Sequence, residues 1–159
     1  MIDRLVANLQ PVLDRAEAAG VRLAVEPLNR FETSLFNTVD QTMALIDAVD
    51  RPSLGLLLDT FHLNIEERDI GAAIRRAGDR LYHFHACGND RGAPGNDAIH
   101  WVAVRDALAA IEYRGAVSIE SFTSTNQAIA TAASIWRPLA PSQDAIAVDG
   151  LAFLRELLA

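Results

Sequence analysis

Apolar residues are spaced in two different ways along this chain, and the two alternate. Ile2, Leu5, Val6, Leu9, Val12, Leu13 and Ala16 return at helical spacing and stop before Gly20, which predicts an opening helix with a glycine at its C-terminal end. Short, nearly unbroken aliphatic runs then occur at 21–25, 54–58, 81–84 and 117–119, each of strand length. Between them lie amphipathic stretches. Thr38-Val39-Asp40-Gln41 reads as a capping box opening a helix through Val49, which Arg51-Pro52 ends. Further helices are predicted at 70–77, at 101–112 with Val104, Leu108 and Ile111 as the apolar stripe, at 127–136 and at 145–158. Pro138 and Pro141 separate the last two.

Runs of this kind separated by helix-length segments predict buried parallel strands in βα units. Four such units are half of a (β/α)8 barrel, a fold that needs about 250 residues. The opening helix also has no strand before it, although each helix of a βα unit packs near the strand it follows. The expectation is therefore an α/β fold, with residues 1–159 forming a single domain that is the C-terminal half of a TIM barrel whose N-terminal half is missing. A complete four-stranded open α/β sheet is the alternative.

Each predicted strand delivers one hard ligand at its C-terminal end: Glu26, Asp59, His85 and Glu120. They lie 33, 26 and 35 residues apart, close to one βα repeat each time. Chemistry in parallel α/β folds collects at these strand ends. Singly, a carboxylate there can cap the next helix and a strand histidine can be a core residue. Together they point to a metal site, because burying three carboxylates in one ring needs a cation.

Composition narrows the class without changing the picture. The chain has 159 residues, 50% hydrophobic and 22% charged, which excludes a disordered protein. A net charge of -7 with scattered basic residues argues against a nucleic-acid partner. No signal peptide opens the chain, no apolar run approaches the roughly 18 residues of a membrane span, and Cys87 is the only cysteine. The expected location is a reducing cytoplasm, with no membrane partner.

The local motifs carry a resemblance. Glu26-Pro27-Leu28-Asn29-Arg30-Phe31-Glu32, Asp59-Thr60-Phe61-His62-Leu63-Asn64-Ile65-Glu66-Glu67, His83-Phe84-His85 followed by Asn89-Asp90-Arg91-Gly92 and Pro94-Gly95, and Glu120-Ser121-Phe122 resemble the ketose 3-epimerases of the xylose-isomerase-like barrel superfamily. That family includes the D-tagatose, D-psicose and L-ribulose 3-epimerases. The resemblance extends through Ile135-Trp136-Arg137 and the last helix, and it places the strands as the fifth to eighth of the barrel.

The resemblance implies that Glu26, Asp59, His85 and Glu120 hold a divalent metal. This oxygen-rich set suits Mn²⁺, with Mg²⁺ or Co²⁺ as substitutes. It also implies inversion at C3 of a ketose through an enediolate, with Glu26 and Glu120 as the paired acid and base on opposite faces of the sugar. Glu32, His62 and Arg91 match positions that hydrogen-bond the substrate. His83 is expected one layer below His85 as a packing or supporting residue, and His100 at a helix start on the surface. Cys87 is expected in a loop as an incidental small residue, and Glu66 and Glu67 in a solvated loop or helix start.

Two alternatives remain open, and a third is excluded. Another sugar-isomerase-like barrel, of the hydroxypyruvate isomerase or inosose dehydratase type, shares the metal ring, although Glu32 and His62-Leu63-Asn64 favour the epimerase. An endonuclease-IV-like enzyme needs more histidine ligands and a basic face, and this chain, with four histidines and a net charge of -7, supplies neither. An inactive metal-binding fragment or assembly module is the reading from a different class. A half barrel leaves open strand edges and uncovered apolar surface, so the expected partners beyond a small ketose are a second copy, as a homo-oligomer, or a complementary half-barrel chain.

Overall fold

The computed structural model describes residues 2–159. Four parallel strands form one sheet in the order β1 (Leu23–Val25), β2 (Leu54–Asp59), β3 (Leu81–Ala86) and β4 (Val117–Ile119). Helix α1 (Ile2–Ala18) precedes β1, and α2 (Val39–Val49) links β1 to β2. The β2–β3 connection carries α3 (Thr60–Glu66), α4 (Ile70–Ala77) and a 3-10 turn at Gly78–Arg80. Helix α5 (Trp101–Ala110) leads into β4, and α6 (Gln127–Ala132) and α7 (Gln143–Leu157) follow it. This is an α/β fold matching part of a TIM barrel.

Local chemistry explains several boundaries. Thr38 accepts from the Gln41 N–H while the Gln41 side chain reaches back to the Thr38 N–H, completing the capping box of α2. Gly20, after α1, has a φ of +66°, the left-handed conformation a glycine adopts at little cost. The last helices differ from expectation. Helix α6 ends at Ala132, where a left-handed Ser134 turns the chain, and Trp136 lies beyond it, 74% exposed. Helix α3 has no sequence expectation behind it: its seven residues are too few to show a helical period.

The core lies on the helix side of the sheet. Leu54, Leu56, Leu58 and Phe84 are buried there against Leu13 of α1, Met43 and Ile46 of α2, Ile74 of α4 and Val104 of α5. The opposite face is less covered, with Ala24 exposed and Leu57 half-buried. One irregularity shapes that face. Leu56 pairs with Leu81 but Leu57 pairs with His83, which leaves Tyr82 unpaired as a bulge. Its ring lies over Gly55, where a Cβ would come within 2.6 Å of the ring carbons, and stacks beneath the Arg22 guanidinium at 4.2 Å. Only glycine fits at position 55.

Candidate metal and sugar site

The register of the sheet brings the four strand-end residues level. Asp59 pairs with His85 across β2 and β3, and His85 pairs with Ser118, two residues before Glu120. Glu26 follows β1 directly. One ligand atom from each of Glu26, Asp59, His85 and Glu120 lies within 4.8 Å of the other three.

Three of these residues present buried atoms that no protein group satisfies: Glu26 Oε1, Asp59 Oδ2 and His85 Nδ1. Buried polar atoms are nearly always paired, so three orphans aimed at one point mark a place for a cation. Asp59 divides its carboxylate between two tasks. Oδ1 accepts from the Phe61 N–H at 2.6 Å and caps α3, while Oδ2 turns into the ring. The donor set therefore fits a hard divalent ion.

Ionisation in the ion-free fold reflects the crowding. Burial, with the charges of Asp59 and Glu120, pushes Glu26 up to about 7. Burial also raises Asp59. His85 Nδ1 lies 3.7 Å from Asp59 and 3.6 Å from Glu120, ion-pair rather than hydrogen-bond distances. These two carboxylates raise the imidazole to about 10, and His85 in return holds Glu120 down near 2. In effect a proton on His85 does part of the work of a cation. His83 stacks edge-on against His85 with ring centres 4.9 Å apart, one layer below as expected, and burial lowers its pKa.

The polar wall beside the ring comes from two loops and α3. Arg91, in the β3–α5 loop, is 5% exposed, and its guanidinium reaches Glu32 at 3.1 Å and Glu120 at 3.2 Å. Phe61 lies under it at 3.9 Å and Phe122 at 5.4 Å. The loop carries strain: Arg91 has a φ of +70° inside a turn closed by Gly88 N–H to the Gly92 carbonyl. Ser121 Oγ donates to that same Gly92 carbonyl, and Phe122 N–H to the Arg91 carbonyl, so the turn is tied to the end of β4. His62, on α3, is 2% exposed and lowered in pKa, first by burial.

A cavity of about 290 Å³ opens over these groups, lined by Glu26, Leu28, Glu32, His62, Arg91, Glu120 and Phe122, with Ile129, Ala132 and Ala133 of α6 on its apolar side. The five other site residues singled out from the sequence, besides His85 and the buried Asp59 carboxylate at the ring, border this space or bond to one another. Residues 26, 32, 62, 91 and 120 therefore meet as the motifs suggested.

Several placements differ from the sequence reading. Glu66 does not sit in a solvated loop: it ends α3 and its side chain is only 4% exposed, covered by Arg30, whose backbone and guanidinium both donate to it. Glu67 is likewise engaged, accepting from the Val39 N–H at the start of α2 at 2.8 Å. Both glutamates thereby pin the β1–α2 loop to α3. Cys87 does lie in the loop just past β3, as expected, but it is fully buried and engaged. Thr60 Oγ1 donates to its carbonyl at 2.6 Å and accepts its N–H at 2.8 Å, so the position clamps β3 to α3. Asn29, Phe61 and Phe122 also border or support the site, although nothing in their spacing or chemistry marks them in the sequence. Their only signal was membership of the quoted motifs.

Comparison with known proteins agrees with this geometry. The family model described as xylose isomerase-like TIM barrel matches residues 1–157. The chain is 50% identical over 136 residues to a probable ketose 3-epimerase of Synechocystis, covering 86% of this chain and 47% of that protein. A solved L-ribulose 3-epimerase matches with a TM-score of 0.93 at 40% identity, over 99% of this chain and 54% of that one. D-psicose 3-epimerase from Clostridium cellulolyticum H10, solved with D-tagatose, gives 0.92 at 36% identity, over 99% and 56%. The chain spans about half the length of the curated relatives it matches. Among the described residues, no helix is long and apolar enough to cross a membrane.

Proposed function

The chain belongs to the xylose isomerase-like TIM barrel family, and from that premise we propose that it carries the ion-binding and acid–base half of a ketose 3-epimerase. The observation that carries this reading is the meeting of four ligand atoms within 4.8 Å, three of them buried and unsatisfied, beside a cavity walled by Glu32, His62 and Arg91. Glu26, Asp59, His85 and Glu120 hold a divalent ion, with Mn²⁺ the preferred identity for a set of three carboxylates and one imidazole. When bound, that ion supplies a Lewis acid for negative charge developing on the sugar oxygens.

The protein's own groups do the rest. The C3 proton of a ketose is acidified by the neighbouring C2 carbonyl, and inversion requires its removal from one face and its return from the other. Glu120 and Glu26 extend from the two outer strands of the sheet and border the cavity together, so one carboxylate takes the proton while the other delivers one. Arg91, His62 and Glu32 donate to or accept from the sugar hydroxyls and hold C3 between the carboxylates. Phe122 and the α6 residues exclude water from that side. We place the domain, residues 1–159, as the C-terminal half of the barrel in a reducing cytoplasm, where the unpaired Cys87 stays reduced.

The test is solvent exchange. With Mn²⁺ and a ketohexose in D₂O, epimerisation with deuterium at C3 is expected, and Glu120→Gln lowers it on the order of 10²–10⁴-fold. Aldose formation without C3 exchange would replace this reading with an isomerase. Strands β1 and β4 each pair on one side only among the described residues. The proposal accordingly includes a second copy or a complementary half barrel, and a well-folded monomer in sedimentation at micromolar concentration removes that part.

A further inference from the structure

Asn29 is 1% exposed in the loop after β1, and neither ion binding nor proton transfer as described uses it. Its amide orientation is fixed from two sides. Oδ1 accepts from the Phe31 N–H at 2.9 Å, and Nδ2 donates to Glu32 Oε1 at 2.9 Å. A peptide N–H only donates and a carboxylate only accepts, so the amide cannot be reversed. The same Nδ2 lies 2.9 Å from His62 Nδ1, and the Asn29 backbone N–H donates to that nitrogen at 3.1 Å.

Two donors thus converge on one ring nitrogen, which must present its lone pair. In a neutral imidazole the proton then sits on Nε2. That nitrogen faces the pocket, 3.8 Å from the unsatisfied Glu26 Oε1 and 3.4 Å from an Arg91 nitrogen. Arg91 has no acceptor to offer, so Nε2–H and the guanidinium are two donors side by side. An oxygen seated against both satisfies both.

We infer that Asn29 is a positioning residue that fixes His62 as the Nε2–H tautomer, so that His62 and Arg91 together present a two-donor cradle to one acceptor oxygen of the ligand. The same amide links this choice to Glu32, so the acceptor subsite and the neighbouring carboxylate are set by one side chain. A carbonyl or enediolate oxygen fits such a cradle, because it accepts from both donors at once and gains charge as C3 loses its proton. A hydroxyl there must turn its own hydrogen away. The functional importance of the cradle rests on the epimerase reading, but the tautomer does not.

The experiment is a long-range ¹H–¹⁵N correlation of the histidine rings in the full chain, with His62 assigned from the signals lost in His62→Gln. The expected result is a pyridine-type Nδ1 and a pyrrole-type Nε2. A pyrrole-type Nδ1 in the native chain overturns the inference. Asn29→Asp puts an acceptor where the donor was, and moves Nδ1 toward the pyrrole-type shift. Asn29→Ala, a milder change that keeps the backbone donor, moves both nitrogens part of the way. Unchanged His62 signals in a folded variant of either kind overturn the assignment to Asn29. The two readings fail separately: an Nε2–H ring without C3 exchange removes the epimerase alone, whereas C3 exchange with an Nδ1–H ring removes only the cradle.

Discussion

The two faces of the sheet are built on opposite terms. On the helix side, Leu54, Leu56, Leu58 and Phe84 are sealed beneath four helices and nothing there is charged. At the ligand end of the other face, three carboxylates crowd one imidazole and three of their buried atoms have no partner. Apolar burial of each large core side chain contributes about 1.5–3 kcal/mol. The site works against that contribution, since like charges held together with partial desolvation are unfavourable until a cation arrives. Stability and function are thus assigned to different sides of the same four strands, and Asp59 ties them together by capping α3 with one oxygen and leaving the other in the ring.

The largest expected effect comes from breaking the helix side. Phe84 is fully buried on β3 and is the bulkiest of the wholly buried side chains. Phe84→Ala is expected to cost about 3–5 kcal/mol in denaturant unfolding, through lost burial and the cavity left behind. The four ligands are not touched, so the folded fraction should still bind Mn²⁺ with near-native affinity by calorimetry. A loss of affinity in the folded fraction would mean that the faces are not separable.

Altering the other face should show the reverse. Asp59→Asn keeps an oxygen to cap α3 but removes a negative charge from the ring. Ion-free stability should hold or rise, while the stabilisation by Mn²⁺, about 2.7 kcal/mol for the native chain at a hundredfold excess over Kd, should vanish. Proton linkage gives an independent check. Glu26 rises from its ordinary 4.5 to about 7 and His85 from 6.5 to about 10, so both bind protons more tightly folded than unfolded. Their stabilising protons are in place below the unfolded values, and are lost as pH climbs through 7 for Glu26 and 10 for His85. The ion needs Glu26 ionised and the His85 nitrogen free. Apparent affinity should therefore climb with pH across that window, and binding near neutral pH should release protons, measurable by calorimetry in buffers of different ionisation heat. Affinity independent of pH would show that the ion does not displace them.

What was legible in the sequence follows the same division. The helix side was readable because burial writes itself into spacing: the aliphatic runs at 54–58 and 81–84 and the capping box at Thr38 all correspond to observed elements. The meeting of Glu26, Asp59, His85 and Glu120 was readable because one such residue follows each strand at a βα interval, and that of Glu32, His62 and Arg91 through their motifs. The β1–α2 loop and α3 were not readable in the same way. Helix α3 is too short for a period, and Glu66 and Glu67 look like solvated charges until Arg30 and the Val39 N–H are seen against them. A contact between residues 28 or 36 positions apart leaves no local trace. Asn29 is hidden for the same reason: its partner His62 is 33 residues away.

These long-range pins give the smallest effect and the finest probe of the comparison. Glu67 accepts from the Val39 N–H, one of the first amides of α2, where the helix leaves donors without internal partners and favours negative charge. Glu67→Ala should cost about 1 kcal/mol, comparable to losing a helix cap. The Arg30–Glu66 pair is a weaker lever, because Arg30 is 63% exposed and water screens it. Neither glutamate reaches the ring, so Mn²⁺ affinity should stay native in Glu67→Ala. The β1–α2 loop that carries Asn29 and Glu32 should nevertheless loosen, read as faster amide exchange at Phe31 and Glu32 with unchanged protection in β2 and β3. Uniformly faster exchange across all three regions would place these pins with the core, and a drop in ion affinity would place them with the ring. The expected pattern, local loosening with both core and ring intact, makes the loop a third unit that borders the site without sharing the energetics of either face.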